Sequence, residues 1–318
     1  MSAAIGREAH VRILVVGDAN VDLVLRGDVV PRFGQAEQLL DSADLTLGSS
    51  AGIVAHGLAR LGIPTALAAT VGDDDFGRLT RRWLSEAGVD VSPLGVHPTL
   101  PTGLSVILSA PADRSILTVL GCIPTLTGDV VLAAATGVAH VHFASYFLLP
   151  GLAAELPSVL RTLRALGVTT SLDTNWDPAE EWAGLAEVLP LVDILLPNLE
   201  ELRAIAGVVG VTGGTDEDLA RGLAALGPRV VAKAGREGGW SVAAGSPVVH
   251  APGLVLDSRD TTGAGDSFDA GYLAAVASGV ASEVERLRWA TVAGSLSTRA
   301  AGGTPAQATL AELTAHLA

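Results

Sequence analysis

Asp260-Thr-Thr-Gly-Ala-Gly-Asp266, followed by Ser267-Phe-Asp-Ala-Gly-Tyr-Leu-Ala-Ala-Val276, is the most informative stretch of this 318-residue chain. Its second half reads as a helix with alanine and apolar residues along one side. Small residues at 263–265 let the backbone come close to a ligand, and the first amides of a helix point outward without internal partners. Such an amide cluster is an anion site. A carboxylate at Asp266 would repel a passively bound phosphate, but it suits a general base taking a proton from an attacking hydroxyl. Gly-Ala-Gly alone would be an ordinary capped turn; the whole heptad ahead of a small-residue helix is far more specific.

Outward from this segment the chain alternates apolar runs with helical patterns. Arg12-Ile-Leu-Val-Val-Gly17 predicts a first buried strand, and Ala66–Val71, Val138–Ala144, Val168–Asp173, Ile194–Pro197 and Val230–Ala234 predict others. Helices are expected over Phe76–Ala87, stopped at Gly88, and over Leu152–Leu166, stopped at Gly167. Strands alternating with helices imply a parallel sheet covered on both faces. Val21–Leu47 and Thr102–Leu120, around the turn Ala110-Pro-Ala-Asp-Arg114, break that rhythm with short alternation. They predict antiparallel strands with one face toward solvent or a ligand. The expectation is a single α/β domain over residues 1–318, with a small β lid inserted as two excursions, about 20–47 and 100–120. No internal repeat, low-complexity block or interdomain linker interrupts it.

Composition narrows the function. With 49% hydrophobic and 17% charged residues a large core is affordable. No apolar run is long enough to span a membrane, and Met1–His10 lacks the apolar stretch of a secretory signal, so a loose tail and a cytoplasmic protein are expected. The net charge of −14 argues against nucleic-acid binding through a broad basic surface. Cys122, the only cysteine, excludes an intramolecular disulfide and reads as a small apolar filler. Lys233 is the only lysine, against nineteen arginines.

Two rival phosphate motifs fail. A P-loop needs Gly-Lys-Ser/Thr, but Lys233 is followed by Ala234-Gly235. A dinucleotide fingerprint needs a third glycine, where Phe268 stands.

The heptad is a full match to the signature of the ribokinase-like, or phosphofructokinase-B type, carbohydrate kinases, which the chain resembles over nearly its whole length. The resemblance implies a three-layer ribokinase-like fold, with a mainly parallel central sheet, helices on both faces and a small β-sheet lid. It makes Asp266 the catalytic base and the amides of Gly263, Ala264 and Gly265 the anion hole. It places Asp260 and Thr262 at a monovalent-cation (K+) site near Arg299–Gly303. Gly17-Asp-Ala-Asn-Val-Asp22 supplies Asn20 and Asp22 for sugar hydroxyls, a task a carboxylate suits on its own chemistry. Thr70-Val-Gly-Asp-Asp-Asp-Phe-Gly77 resembles the family's turn after the third strand, its Asp74 and Asp75 reading as helix caps. Pro197-Asn-Leu-Glu-Glu201 places Asn198 and Glu201 near Mg2+ and the ATP phosphates. Lys233-Ala-Gly-Arg-Glu-Gly238 borders the nucleotide with Gly235 and Gly238. Lys233 itself reads either as a counter-charge to phosphate or as an exposed strand-end cation. Asp173-Thr-Asn-Trp-Asp177 resembles a stretch of acid-sugar and hexose kinases.

One departure concerns the acceptor. The family shows Gly-Gly-x-x-x-Asn after the first lid excursion, and here Gly48-Ser-Ser-Ala-Gly-Ile53 stands there. Gly48 and Ser49 remain candidates for the substrate side, but a hydroxyl buried against Ile53 would lose ~1–3 kcal/mol. Ser49, Ser50 or His56 would have to supply that contact. Arg114 reads as a contact for a substrate carboxylate or phosphate, or as a turn arginine facing water. The implied function is ATP-dependent phosphorylation of a hydroxymethyl group on a sugar or sugar acid, with a homodimer through the lid. A nucleoside kinase, or a non-catalytic sugar- or nucleotide-binding protein, is the alternative; the absence of aromatic residues between Gln35 and Thr70 counts against the first.

Overall fold

Alternation along one short strand explains the layering. In Ile13–Val16, Ile13 and Val15 enter one apolar core while Leu14 and Val16 enter another, so the strand is buried on both faces. The computed structural model describes residues 12–35, 37–110 and 114–317; the expected tail Met1–His10 and the centre of the second lid turn, 111–113, lie outside them.

In chain order the strands are β1 (Ile13–Val16), β2 (Asn20–Arg26), β3 (Ser42–Leu47), β4 (Thr65–Ala68), β5 (Thr70–Gly72), β6 (Gly95–His97), β7 (Gly103–Ser109), β8 (Arg114–Val119), β9 (His140–Phe143), β10 (Thr169–Leu172), β11 (Ile194–Leu195), β12 (Arg229–Lys233), β13 (Gly239–Val242) and β14 (Val249–Ala251). The helices are α1 (Ser50–Arg60), α2 (Asp75–Glu86), α3 (Gly128–Ala134), α4 (Pro150–Ala165), α5 (Leu185–Val188), α6 (Leu199–Val208), α7 (Asp216–Ala224), α8 (Ala264–Ala277), α9 (Glu283–Ser297) and α10 (Leu310–Leu317). The central sheet runs β14-β13-β12-β11-β10-β9-β1-β4, parallel from β12 to β4 with β13 and β14 antiparallel at the edge. Leu156 of α4, Leu202 of α6 and Leu223 of α7 pack on the face of Leu14 and Val16. Leu58 of α1, Leu273 of α8 and Leu287 of α9 pack on the other. The three-layer α/β architecture is the one the sequence implied.

The lid is a separate sheet of order β3-β2-β7-β8. Its hairpins β2–β3 and β7–β8 are antiparallel as expected, but β2 and β7 pair in parallel, Asn20 opposite Gly103, so the lid is mixed. Alternation fixes which face a residue takes, not the direction of the neighbouring strand. The run Ala66–Val71 also divides: Thr65–Ala68 enters the central sheet and Thr70–Gly72 pairs with β6. The Asp74 side chain caps α2 by accepting from the Gly77 amide at 2.8 Å.

Candidate active site

The segment 260–266 forms the turn its small residues allow. Gly263 takes φ 69°, the left-handed conformation glycine adopts freely, and immediately precedes α8. The Ala264 amide bonds back to the Thr261 carbonyl at 3.2 Å, which leaves Gly265 and Asp266 as the first-turn amides without a backbone partner among the described residues. Asp260 braces the turn: Oδ1 accepts from the Thr262 amide (2.9 Å) and hydroxyl (2.7 Å), and Oδ2 from the Gly302 amide (2.9 Å). Burial works against its charge, but those donors win and hold the carboxyl below its usual range.

Asp266 keeps part of its surface open and accepts a hydrogen bond from the Ser50 hydroxyl at the start of α1. Desolvation pushes its carboxyl up to about 7; the Ser50 bond and Lys233 oppose this, and Asp173 and Asp18 add to it. A carboxyl poised there exchanges a proton readily at neutral pH.

The lid and the end of β1 bring the acceptor candidates together. Asn20 Nδ2 donates to Asp22 Oδ1 (3.0 Å) and to Ser105 Oγ (3.4 Å) on the neighbouring β7. A Cβ at Gly48 would stand 2.1 Å from Asp22 Oδ1 and 2.8 Å from Asn20 Nδ2, so only glycine fits beside this pair. Burial, reinforced by Asp18, pushes Asp22 up to about 7. Ser49, at φ 71°, caps α1 by accepting from the Gly52 amide at 2.9 Å, and His56 Nδ1 lies 2.6 Å from Gln307 Oε1. Of the three proposed substitutes for the missing asparagine, only Ser50 contacts Asp266. Ile53 is 3% exposed and packs behind the turn: a Cβ at Gly303 would stand 2.4 Å from its Cδ1, and one at Gly263 3.2 Å from its Cγ2. Its apolar side chain backs the anion turn.

Arg114 crosses from the lid to that turn. Its NH1 donates to Thr262 Oγ1 at 2.9 Å and lies 3.9 Å from Asp260 Oδ1; Arg26 of β2 approaches Asp260 Oδ2 at 4.0 Å.

On the other side of the turn a cavity of about 320 Å³ is lined by Lys233, Gly235, Gly238, Leu254, Ala264, Gly265 and Phe268 among others. It has the size and apolar lining of a small-ligand site. Asn198 and Glu201, at the end of β11, form the capping box of α6: Asn198 Oδ1 accepts the Glu200 and Glu201 amides at 2.9 Å, and Glu201 Oε2 accepts the Asn198 amide at 2.8 Å. Burial pushes Glu201 up to about 7, with Asp173 adding and Lys233 opposing. Lys233 is neither exposed nor turned to the cavity with a free ammonium. Its Nζ donates to Asp173 Oδ2 (2.6 Å) and Asp269 Oδ2 (3.2 Å). His142 is a packing residue, bonded through Nδ1 to Ser171 Oγ at 2.8 Å and held neutral by burial, which lowers it to about 4.

Sequence reasoning did not anticipate Asp18, Asp269, Arg26 or Ser105. Asp18 is buried and accepts from the Ala51 amide (3.1 Å) and the Ser145 hydroxyl (2.9 Å), stitching the ends of β1 and β9 to α1. The signal for it was its place directly after an apolar strand ending in glycine; Asp269 carried none, since its partners lie 36 and more positions away.

Comparison with known proteins identifies the family and the fold. The profile of the pfkB family carbohydrate kinases matches residues 11–309. The chain is 33% identical over 269 residues to the ATP-dependent ribose-1-phosphate kinase of Halopiger xanaduensis, covering 83% of this chain and 84% of that one. It superposes with a TM-score of 0.83 on Arabidopsis thaliana ribokinase complexed with ribose and ATP, at 25% identity and covering 97% and 99% of the two chains. Vibrio cholerae fructokinase, in a fructose-, ADP- and potassium-bound form, gives a TM-score of 0.80 at 23% identity, covering 98% and 100%. Among the described residues no helix is long and apolar enough to cross a membrane.

Proposed function

The chain belongs to the pfkB family of carbohydrate kinases, phosphotransferases with an alcohol acceptor, and from that premise we propose that it transfers the γ-phosphoryl of ATP to a hydroxymethyl group of a sugar or sugar acid, with Asp266 as base. The observation that carries this reading is the position of Asp266. It lies in the first turn of α8, directly after the turn whose Ala264 and Gly265 line the cavity, and it accepts from Ser50, two residues after the Gly48 that fits beside Asn20 and Asp22. Asn20 and Asp22 orient the acceptor, Asp266 takes the proton as the hydroxyl attacks, and the outward amides of Gly265 and Asp266, rather than that of Ala264, meet the charge that grows on the phosphoryl oxygens. The lid closes over the acceptor and keeps water, the competing nucleophile, away.

The oxygens of Glu201 and Asn198 are the donors that a hard cation prefers, and a nearby cation would draw the raised Glu201 carboxyl back to its ionised form. Mg2+ held in their neighbourhood would neutralise phosphate charge. Asp260 and Thr262 are the residues that would border a K+ ion, which would have to share them with Arg114 and Arg26. An acceptor carrying a carboxylate or phosphate has specific support: Arg114 reaches the turn from the lid, and the Halopiger relative is named for a sugar phosphate. Two copies would pair through the lid.

ATP consumption measured with ribose, fructose, gluconate, ribose 1-phosphate and adenosine identifies the acceptor and separates a sugar kinase from a nucleoside kinase. With the best of these, Asp266→Asn should lower kcat by about a thousandfold or more while ATP affinity changes little. Unchanged turnover would remove Asp266 from the chemistry.

A further inference from the structure

The chain's one lysine is committed to the interior. The side chains of Lys233, Asp173 and Asp269 are 10%, 1% and 0% exposed, and the ammonium is shared between two carboxylates. Asp269 Oδ1 is buried without a partner. A buried ion pair with one carboxylate too many is a poor device for stability, because apolar groups of the same shape would do as well. Its surroundings supply another purpose.

Asp269 sits one helical turn after Asp266 on α8. A Cβ built on Gly265, the residue immediately before Asp266, would lie 3.5 Å from Lys233 Cδ and 3.8 Å from its Nζ. The ammonium therefore underlies the anion turn. Asp18 from the end of β1, Asp173 from the end of β10 and Asp269 from its own helix face Asp266 with carboxyls, and Ser50 of α1 faces it with a hydroxyl. Lys233, from the end of β12, supplies the balancing positive charge. Arg114 of the lid is engaged farther along the turn, at Thr262 and Asp260.

We propose that Lys233 is a positioning residue that acts through Asp266: held by Asp173 and Asp269, it is the fixed positive charge against which the base ionises. The inference rests on the reading of Asp266 as base. Burial works against the charge of Lys233, but Asp173, Asp269 and Glu201 of α6 outweigh it and hold the ammonium above its usual range; Asp173 in turn stays below its own, while burial holds Asp269 well above its own. Removing the ammonium leaves the acidic neighbours unopposed, which favours protonated Asp266 and moves the acidic limb of the rate profile to higher pH. Removing the charge of Asp173 moves it the other way.

The test is the pH dependence of kcat/KM for whichever of ribose, fructose, gluconate or ribose 1-phosphate is turned over fastest, at saturating Mg·ATP. Ionisation of ATP itself is common to all variants and cancels between them. For Lys233→Met the acidic limb should rise by about one pH unit, a loss of about tenfold at acidic pH with most of the rate retained at alkaline pH. Lys233→Arg should leave the limb within a few tenths of a unit of the parent, and Asp173→Asn should lower it. Should Lys233→Met fail to fold, the double variant Lys233→Met/Asp173→Asn should still place the limb above that of Asp173→Asn alone. A uniform loss at every pH with an unmoved limb, or an effect confined to KM for ATP, overturns the proposal. If Asp266→Asn is inactive while the Lys233→Met limb stays in place, this inference fails alone; if Asp266→Asn is fully active, the reading of the base fails with it.

Discussion

Gly48 shows how one atom decides a site. Its hydrogen occupies the space in which a methyl group would stand 2.1 Å from Asp22 Oδ1, so Gly48→Ala must push Asp22 and Asn20 apart. Because these two side chains orient the acceptor in the proposed reaction, the substitution should raise the acceptor KM by about tenfold or more and leave KM for ATP within about twofold. An unaltered acceptor KM would separate the Asn20–Asp22 pair from acceptor binding. Ile53 makes a complementary point. Read from the sequence, it looked like the loss of a sugar-binding asparagine; in the fold it is a prop behind Gly263 and Gly303. The substitution therefore changes what supports the phosphoryl end of the site as well as what touches the acceptor.

At the scale of elements, what was legible depended on whether the signal was local. Short β-branched apolar runs closed by glycine marked β1 and β12, because a buried parallel strand needs little but apolar residues on both faces; β9 and β10, which carry His140, His142, Thr170 and Ser171, were marked by their place between helical patterns. The small-residue helix after Gly263 was legible for the same reason. β13 and β14 escaped notice: Gly239-Trp-Ser-Val242 has no alternation to separate it from a loop, and its partner is a three-residue strand. The start of α1 was hidden by Gly48-Ser-Ser-Ala-Gly52, which reads as a turn until Asp18 and Ser49 supply its first amides with acceptors. Partnerships between distant segments, β2 with β7 or Lys233 with Asp173 and Asp269, leave no trace in local pattern at all. β8 carries a further consequence. It is the edge of the lid, with Ile116, Leu117 and Val119 exposed by 53%, 56% and 59%, and an apolar edge strand of this kind invites a second strand. Light scattering should find a dimer that Leu117→Lys converts to monomer; a parent protein that is monomeric at assay concentrations would rule out pairing through this edge.

For the molecule as a whole, the end of the parallel sheet gathers more carboxyls than their local donors and cations stabilise. Burial raises Asp18, raises Asp269 well above its ordinary value, and pushes Asp22, Asp266 and Glu201 to about 7. Their unfolded values are those of ordinary carboxyls, about 4. The folded protein therefore binds these protons more tightly than the unfolded chain, and the stability they confer is lost as pH rises from about 4 through about 7. Asp74, Asp90, Asp173, Asp216, Asp260 and Glu312 are lowered and act oppositely, but their contribution disappears only as pH falls below about 4; His56, His140 and His142, lowered by burial, also oppose the trend, costing stability as pH falls below about 6.5. Calorimetry of the ligand-free protein should thus show a Tm lower by a few degrees at about pH 8 than at about pH 5. A Tm that rises over that interval would mean that the buried histidines outweigh the site carboxyls. The cluster beneath the turn has one more consequence, outside catalysis. Since Lys233 is the sequence's only lysine, is 10% exposed and has its ammonium gripped by Asp173 and Asp269, reagents that acylate amines should modify the folded molecule's lysine only slowly. Rapid addition of one mass at that position would mark a molecule whose interior had opened, which makes Lys233 a built-in reporter of unfolding.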